Sequence, residues 1–578
     1  MKQLVVTFIA FLAVSTSANA QGGGVDTEII GTGTRKIDPA YRMALSPHVI
    51  DTTIPMAVVE YPLLPLKYQT DAEVNQISPV SIRTVDKLAK LYNTYVKLGV
   101  GTDFATGGIM PLGEVYFDAT RSRKFLYGAH LKHLSNWGDF TGLQNSTFDR
   151  TKFDLYGGIN ERRYTLRGNF HYNNQGLHYY GISDTIALGS DSLNQRFNDT
   201  GFDFSYASHK KDSATLNFGV GILYNNFNGM KPERENFSDW RARENAFDVK
   251  SNAWYKLGRE IYALDFNVRW NGYKYGVLDS TYTNPLDTGF VQNNTIVNLK
   301  PTITTQFMDD RFKAKVGMDI VFDAREKTRA HIYPIAEVKY SMLNDLFIPY
   351  VGLRGGLTQT TYKSLTRENE FLRSNVELRN EHKAIDFYGG IKGTLSKRIS
   401  FNLGASFANV KDLAMFVTDT TFSLGNKFGV IYDTANVATL EGSISYQIKE
   451  KIKTDAIVRY TSYNLVNNSY AWNRPNLEVI LRGSYNLFDK FLFNLDLNLE
   501  QGRRALVYAP GEGVTEENGQ YIQSLGFLAD ANLGVEYRYN PRISAFVQTN
   551  NLASQRYNRW YNYPVQSFQV LGGVTFRF

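Results

Sequence analysis

Eight histidines and no cysteine bound the chemistry open to this 578-residue chain. Thiolate nucleophiles, thiolate metal sites and disulfides are excluded by composition alone. The histidines are His48, His130, His133, His171, His178, His209, His331 and His382. His130 and His133 lie three apart in a stretch of alternating polarity, so they face opposite sides of a strand and share no metal there. No His-Glu-x-x-His run and no acidic calcium loop occurs, and neither a metal nor another cofactor is expected. Gly99, Gly101, Gly107 and Gly108 lack the Lys-Ser/Thr and the helix of a phosphate loop, and read as strand and loop glycines. Asp496, Asn498 and Glu500 set polar groups on one face of a strand, but no Ser, His and acid stand out as a triad. No catalytic residue is assigned, and the chain reads as a non-enzyme.

Two aromatic segments carry the binding signal. They are Tyr470-Ala471-Trp472-Asn473-Arg474-Pro475 and Arg556-Tyr557-Asn558-Arg559-Trp560-Tyr561-Asn562-Tyr563-Pro564. Tyr and Trp present a stacking face with a polar tip, and Arg adds stacking and bidentate pairing. Tyr470, Trp472, Arg474, Tyr557, Arg559, Trp560 and Tyr561 are therefore the candidate contacts for a ligand or partner. Sugars, peptides and proteins all suit such a surface. Anchoring at a membrane interface selects the same residue types.

The elements that must position these residues are strands. Aromatics make up 14% of the chain, with 37 Tyr, 37 Phe and 47 Gly, against 43% hydrophobic residues in all. A mean hydropathy of −0.32 excludes a bundle of apolar spanning helices. The net charge of +7 is spread without a Lys/Arg block, so no nucleic-acid partner is expected. From about Leu91 the chain alternates strictly. Ile385, Phe387, Gly389 and Ile391 interleave with Asp386, Tyr388, Gly390 and Lys392, and the 312–320 and 491–500 stretches behave alike. Such a pattern puts one apolar and one polar face on a strand.

The punctuation separates a barrel from a soluble sandwich. Short polar turns fall near residues 121–124, 160–163, 209–212, 256–259, 309–311, 343–345, 396–398, 449–451, 488–490 and 540–542. Between them lie pairs of strands joined by longer loops, such as Gly181 to Gln195 and Leu365 to Glu381. Tight turns on one side and long loops on the other describe a transmembrane antiparallel β-barrel of about 22 strands, all-β, over residues 91–578. Both chain ends then fall on the periplasmic side. The last strand ends in Phe576 and Phe578, an apolar, aromatic terminus suited to outer-membrane lipid and to recognition by the barrel assembly machinery.

The N-terminus reads as a signal peptide over residues 1–20, with Lys2, the apolar run Leu4 to Val14 and an Ala18-Asn19-Ala20 exit. Export to the outer membrane of a Gram-negative cell follows. Residues 21–90 hold six of the chain's 16 prolines, so the segment is extended and broken rather than helical. It is too apolar for an ordinary linker. Either it fills the lumen from the periplasmic side, with Pro55, Tyr61, Pro62, Leu63, Leu64 and Pro65 as the candidate plug, or it binds a periplasmic partner. Inward-folded loops would share the blockage.

The C-terminal run Asn550-Asn551-Leu552-Ala553-Ser554-Gln555-Arg556-Tyr557, followed by Trp560, Tyr561 and the closing strand, resembles the end of TonB-dependent outer-membrane receptors. The resemblance implies a 22-strand barrel and ligand transport. Asp26 to Arg35 bears a distant resemblance to the segment by which such receptors contact TonB, which makes TonB an implied partner. The departure is the missing full plug domain. The expected function is a receptor-like barrel in ligand binding or transport across the outer membrane. The alternative is a non-transporting barrel that scaffolds an outer-membrane or surface protein complex.

Overall fold

The computed structural model describes residues 92–578, apart from 120–121, 123, 187–192, 210–215, 231–240, 277–288, 309–310, 326, 422, 509 and 512. The expected signal peptide over residues 1–20 and the 21–90 segment, with its plug candidates Pro55, Tyr61, Pro62, Leu63, Leu64 and Pro65, lie outside the described residues.

Twenty-two strands form one antiparallel sheet that closes on itself. The first strand, Thr94–Asp103, pairs with the last, Gln569–Arg577, in a register that sets Lys97 against Thr575 and Gly99 against Gly573. Closure leaves no edge, as a strand structure in hydrocarbon requires. The alternation decides which face meets lipid. Phe387 is 56% exposed while its neighbour Asp386 is 5% exposed. Leu98, Val100, Phe202, Phe204, Val316 and Ile391 are likewise turned outward and exposed. On a soluble protein this band would be an aggregation surface; on a barrel it is the lipid face.

The polar face is satisfied by pairing across the wall. Arg459 bridges Glu441 at 2.8 Å and Glu478 at 2.7 Å on the flanking strands, and Arg354 holds Asp386 at 2.9 Å. Glu114 accepts from His130 at 3.1 Å, whereas His133 bonds Thr151 across the next pair at 2.8 Å.

Among the described residues, the short turns near 160–163, 256–259, 343–345, 396–398, 449–451, 488–490 and 540–542 stand where the sequence puts them. Leu343, Asn344 and Asp345 take positive φ in one, and Phe488 and Asp489 in another. On the opposite side several strands run well beyond the 9–11 residues that a bilayer needs. Ile399–Asp419 and Lys427–Ile448 have 21 and 22 residues. Their excess projects outward as a tall wall, and the outer loops pack against it.

Candidate functional site at the outer mouth

The connection between strands Ile348–Thr358 and Glu381–Ser396, residues 359–380, is not an open loop. It begins with a helix, α1 (Tyr362–Glu368), nucleated by a capping box. The Thr361 hydroxyl accepts from the Ser364 N–H at 3.0 Å, and the Thr361 N–H donates to the Ser364 hydroxyl at 3.0 Å. Tyr362 and Leu365 of α1, with Phe371, Leu372, Val376 and Leu378 beyond it, are buried in an aromatic cluster. The other members come from the wall (Phe197, Phe227, Tyr273) and from other outer loops (Tyr179, Tyr180, Tyr563). This apolar face folds the connection inward as a strap.

The strap's polar groups are pinned to widely separated parts of the wall. The Glu244 carboxylate accepts the backbone N–H groups of Tyr362 and Lys363. Asp199 takes the Lys363 ammonium at 2.6 Å and the Arg367 guanidinium at 3.2 Å. Glu370 pairs with Arg150 at 2.6 Å and accepts from Gln175. Further on, Arg373 meets Asp419 at 2.8 Å, and the backbone bonds Phe428 on both sides, at 2.9 and 3.0 Å. Gln292 then both donates to and accepts from the Leu378 backbone, at 2.6 and 3.0 Å. Asn380 ends the strap with a bond to Asp323 at 3.1 Å. Burial pulls the Lys363 ammonium below the ordinary lysine range; Arg367 adds to this and Asp199 opposes it.

Beside the strap lies a small cleft, with about 60 Å³ of enclosed space for water-sized groups and the rest of its concavity open to solvent. Phe148, Tyr180, Phe371 and Trp560 give it an aromatic lining, and Arg150, Arg367, Arg559, Glu368, Glu370 and His178 supply charge and polarity. Three loops and the strap therefore meet in one concave place. Burial pushes the Tyr180 phenol upward, so it stays a neutral donor, and its hydroxyl bonds the Pro564 carbonyl at 2.9 Å.

The sequence-predicted contacts divide in two. Trp560 and Arg559 line the cleft; Tyr561, on the same short hairpin, does not. Trp472 is fully buried, its indole N–H donating to Asn468 at 3.0 Å. Arg474 donates to the Ala414 carbonyl at 2.8 Å, and Tyr470 lies under the Arg504 guanidinium with its hydroxyl on Glu517. Tyr557 is 3% exposed and packs with Leu528 and Val565. The first aromatic segment thus builds the tall wall's inner packing, while the second reaches the cleft.

Arg150, Glu370, Asp199 and Glu244 escape a reading of the sequence. Arg150 and Glu370 are 220 residues apart, and one inward charge on a strand looks like any other. The Thr361-x-x-Ser364 cap is the local signal that a helix begins there. Among the described residues no group of three or more metal-ligating side chains comes together.

No family model matches the sequence. No curated protein matches it either. Solved structures do share its architecture. The siderophore receptor PirA from Acinetobacter baumannii superposes with a TM-score of 0.62 at 11% identity, covering 85% of this chain and 81% of that one. The FrpB iron transporter from Neisseria meningitidis (F5-1 variant) gives 0.61 at 10% identity, covering 85% and 83%. The copper transporter OprC gives 0.59 at 12% identity, covering 84% and 81%. What this chain has in common with them is the fold, a closed antiparallel barrel of 22 strands.

Proposed function

We propose that the protein is an outer-membrane receptor that holds a ligand at its outer mouth and passes it inward when the strap moves. The observation that carries this is the mouth itself. A strap crosses it, and a concave, aromatic and charged cleft opens beside that strap. Binding sites are concave places with an apolar lining and a few placed polar groups, and this cleft answers that description. In this reading residues 21–90 close the lumen from the periplasmic side, with Pro55 and Tyr61 to Pro65 as the packing residues, and Asp26 to Arg35 is where a TonB contact would be sought.

The strap's pinning by buried charge favours a second reading. A barrel sealed by its own loop also suits a scaffold that transports nothing and offers its surface to an outer-membrane or surface protein complex.

Planar-bilayer conductance separates the two. The intact mature chain is expected to be silent. Removing residues 21–90 together with 362–376 is expected to give a large, steady conductance, and either deletion alone an intermittent one. A barrel that stays silent after both deletions overturns the receptor reading and leaves the scaffold.

A further inference from the structure

The cleft's charges do not cancel. Arg150 is occupied by Glu370 at 2.6 Å. Glu368 faces Arg474 at 4.0 Å. Arg367 has one carboxylate partner, Asp199 at 3.2 Å, and its side chain remains 58% exposed. The Arg559 side chain, half-buried on the cleft wall, has no ion pair among the described residues. Arg367 and Arg559, with donors to spare, therefore line the same cleft as Phe148, Phe371, Trp560 and Val565. The planar fork of arginine matches carboxylate and phosphate oxygens, and the aromatic faces accept an apolar body.

We infer that this cleft binds an organic anion with an apolar or aromatic body, its acid group held by Arg559 and Arg367. The same ligand is coupled to the strap, because Glu370 and Phe371 are at once cleft lining and strap. The acid group of Glu370 is itself the occupant of Arg150. An incoming anion competes with it there, and opening the Arg150–Glu370 ion pair releases one anchor of the strap. Binding at Arg559 and Arg367 and unlatching at Arg150 thus take place in one cleft. This inference rests on the receptor reading, and adds to it the ligand's charge and the point at which the ligand acts.

The test uses the full mature chain in detergent and three probes: N-acetyl-phenylalanine, phenyl phosphate and the uncharged N-acetyl-phenylalaninamide. Binding is followed by saturation-transfer NMR, with strand circular dichroism on every variant. Both anions are expected to bind at least about tenfold more tightly than the amide, the scale of one charge-assisted pair. Arg559→Ala and Arg559→Gln are each expected to abolish that preference while the barrel spectrum stays unchanged. Glu370→Gln, which removes the competitor for Arg150, is expected to tighten anion binding several-fold. Equal affinity for amide and anions, or no binding of any probe, overturns the anion site but leaves the conductance test of the receptor reading standing. Anion preference that is indifferent to Glu370→Gln overturns the coupling to the strap. A preference for only one of the two anions tells carboxylate from phosphate and supports the site.

Discussion

At the scale of single residues, the aromatic side chains of the outer loops divide their labour by burial. Trp472 is fully enclosed with Met415, Val417 and Ile522, whereas Trp560 closes one side of the cleft. Truncating a packed Trp removes its transfer energy and leaves a cavity. Trp472→Ala is expected to cost about 3–5 kcal/mol of local stability. Limited proteolysis should then cut the 466–476 loop of the variant while the barrel strands stay intact; equal resistance of variant and parent would refute the assignment. The sequence marks both Trp segments as special without telling their roles apart. Stacking on a ligand and packing against a wall ask for the same ring, and only the distant residues that arrive beside it decide between them.

Elements carry the most legible part of the molecule. Period-two alternation and ten short turns yield the strand count directly, since each lipid-facing residue is tested against solvent independently of its partners. The strap is the opposite case. Its helix has seven residues, too few for a 3.6-residue period to declare itself, and its anchors come from strands 46 to 220 residues away. The barrel's seam shows what local sequence can hide in a strand. A Cβ on Gly573 would sit 2.1 Å from the Leu98 carbonyl oxygen and 2.6 Å from the Gly99 Cα. The Phe546 ring fills the lumen side of this flat patch, and the Lys97 ammonium rests 4.2 Å above that ring. Gly573→Val is expected to block pairing of the first and last strands and to lower the yield of folded barrel severalfold. Gly572→Val, where a Cβ meets only the Phe546 carbonyl oxygen at 3.8 Å, is expected to be tolerated. Parallel refolding yields by circular dichroism check the pair; similar yields would refute the seam argument.

The whole molecule is a wide wall with a narrow obstruction, and the two are held by different forces. Lipid-facing apolar surface and closed hydrogen bonding keep the wall. Charged contacts and an aromatic cluster keep the strap. Arg373→Ala removes the 2.8 Å ion pair to Asp419, which is 5% exposed, and breaking a buried pair is costly. In a chain already lacking residues 21–90, Arg373→Ala is expected to lengthen conductance bursts, with no change in the amplitude set by the wall. A changed amplitude with unchanged duration would place the obstruction elsewhere.

The seam also orders events in time. The backbone N–H of Asn93 donates to the Phe578 carbonyl at 2.8 Å, and the Phe578 N–H returns a bond to Thr94 at 2.9 Å. These partners are separated by nearly the entire barrel sequence, whereas every other pair of adjoining barrel strands is consecutive around the wall. Hairpins can therefore form early and one after another, but this pairing must await the whole ribbon. Until it forms, two open strand edges face a medium with no water to satisfy them. The kinetic bottleneck of biogenesis is thus set at the two ends of the barrel sequence. Pulse-labelled amides of residues 94–103 and 569–577 should be the last in the barrel to gain protection.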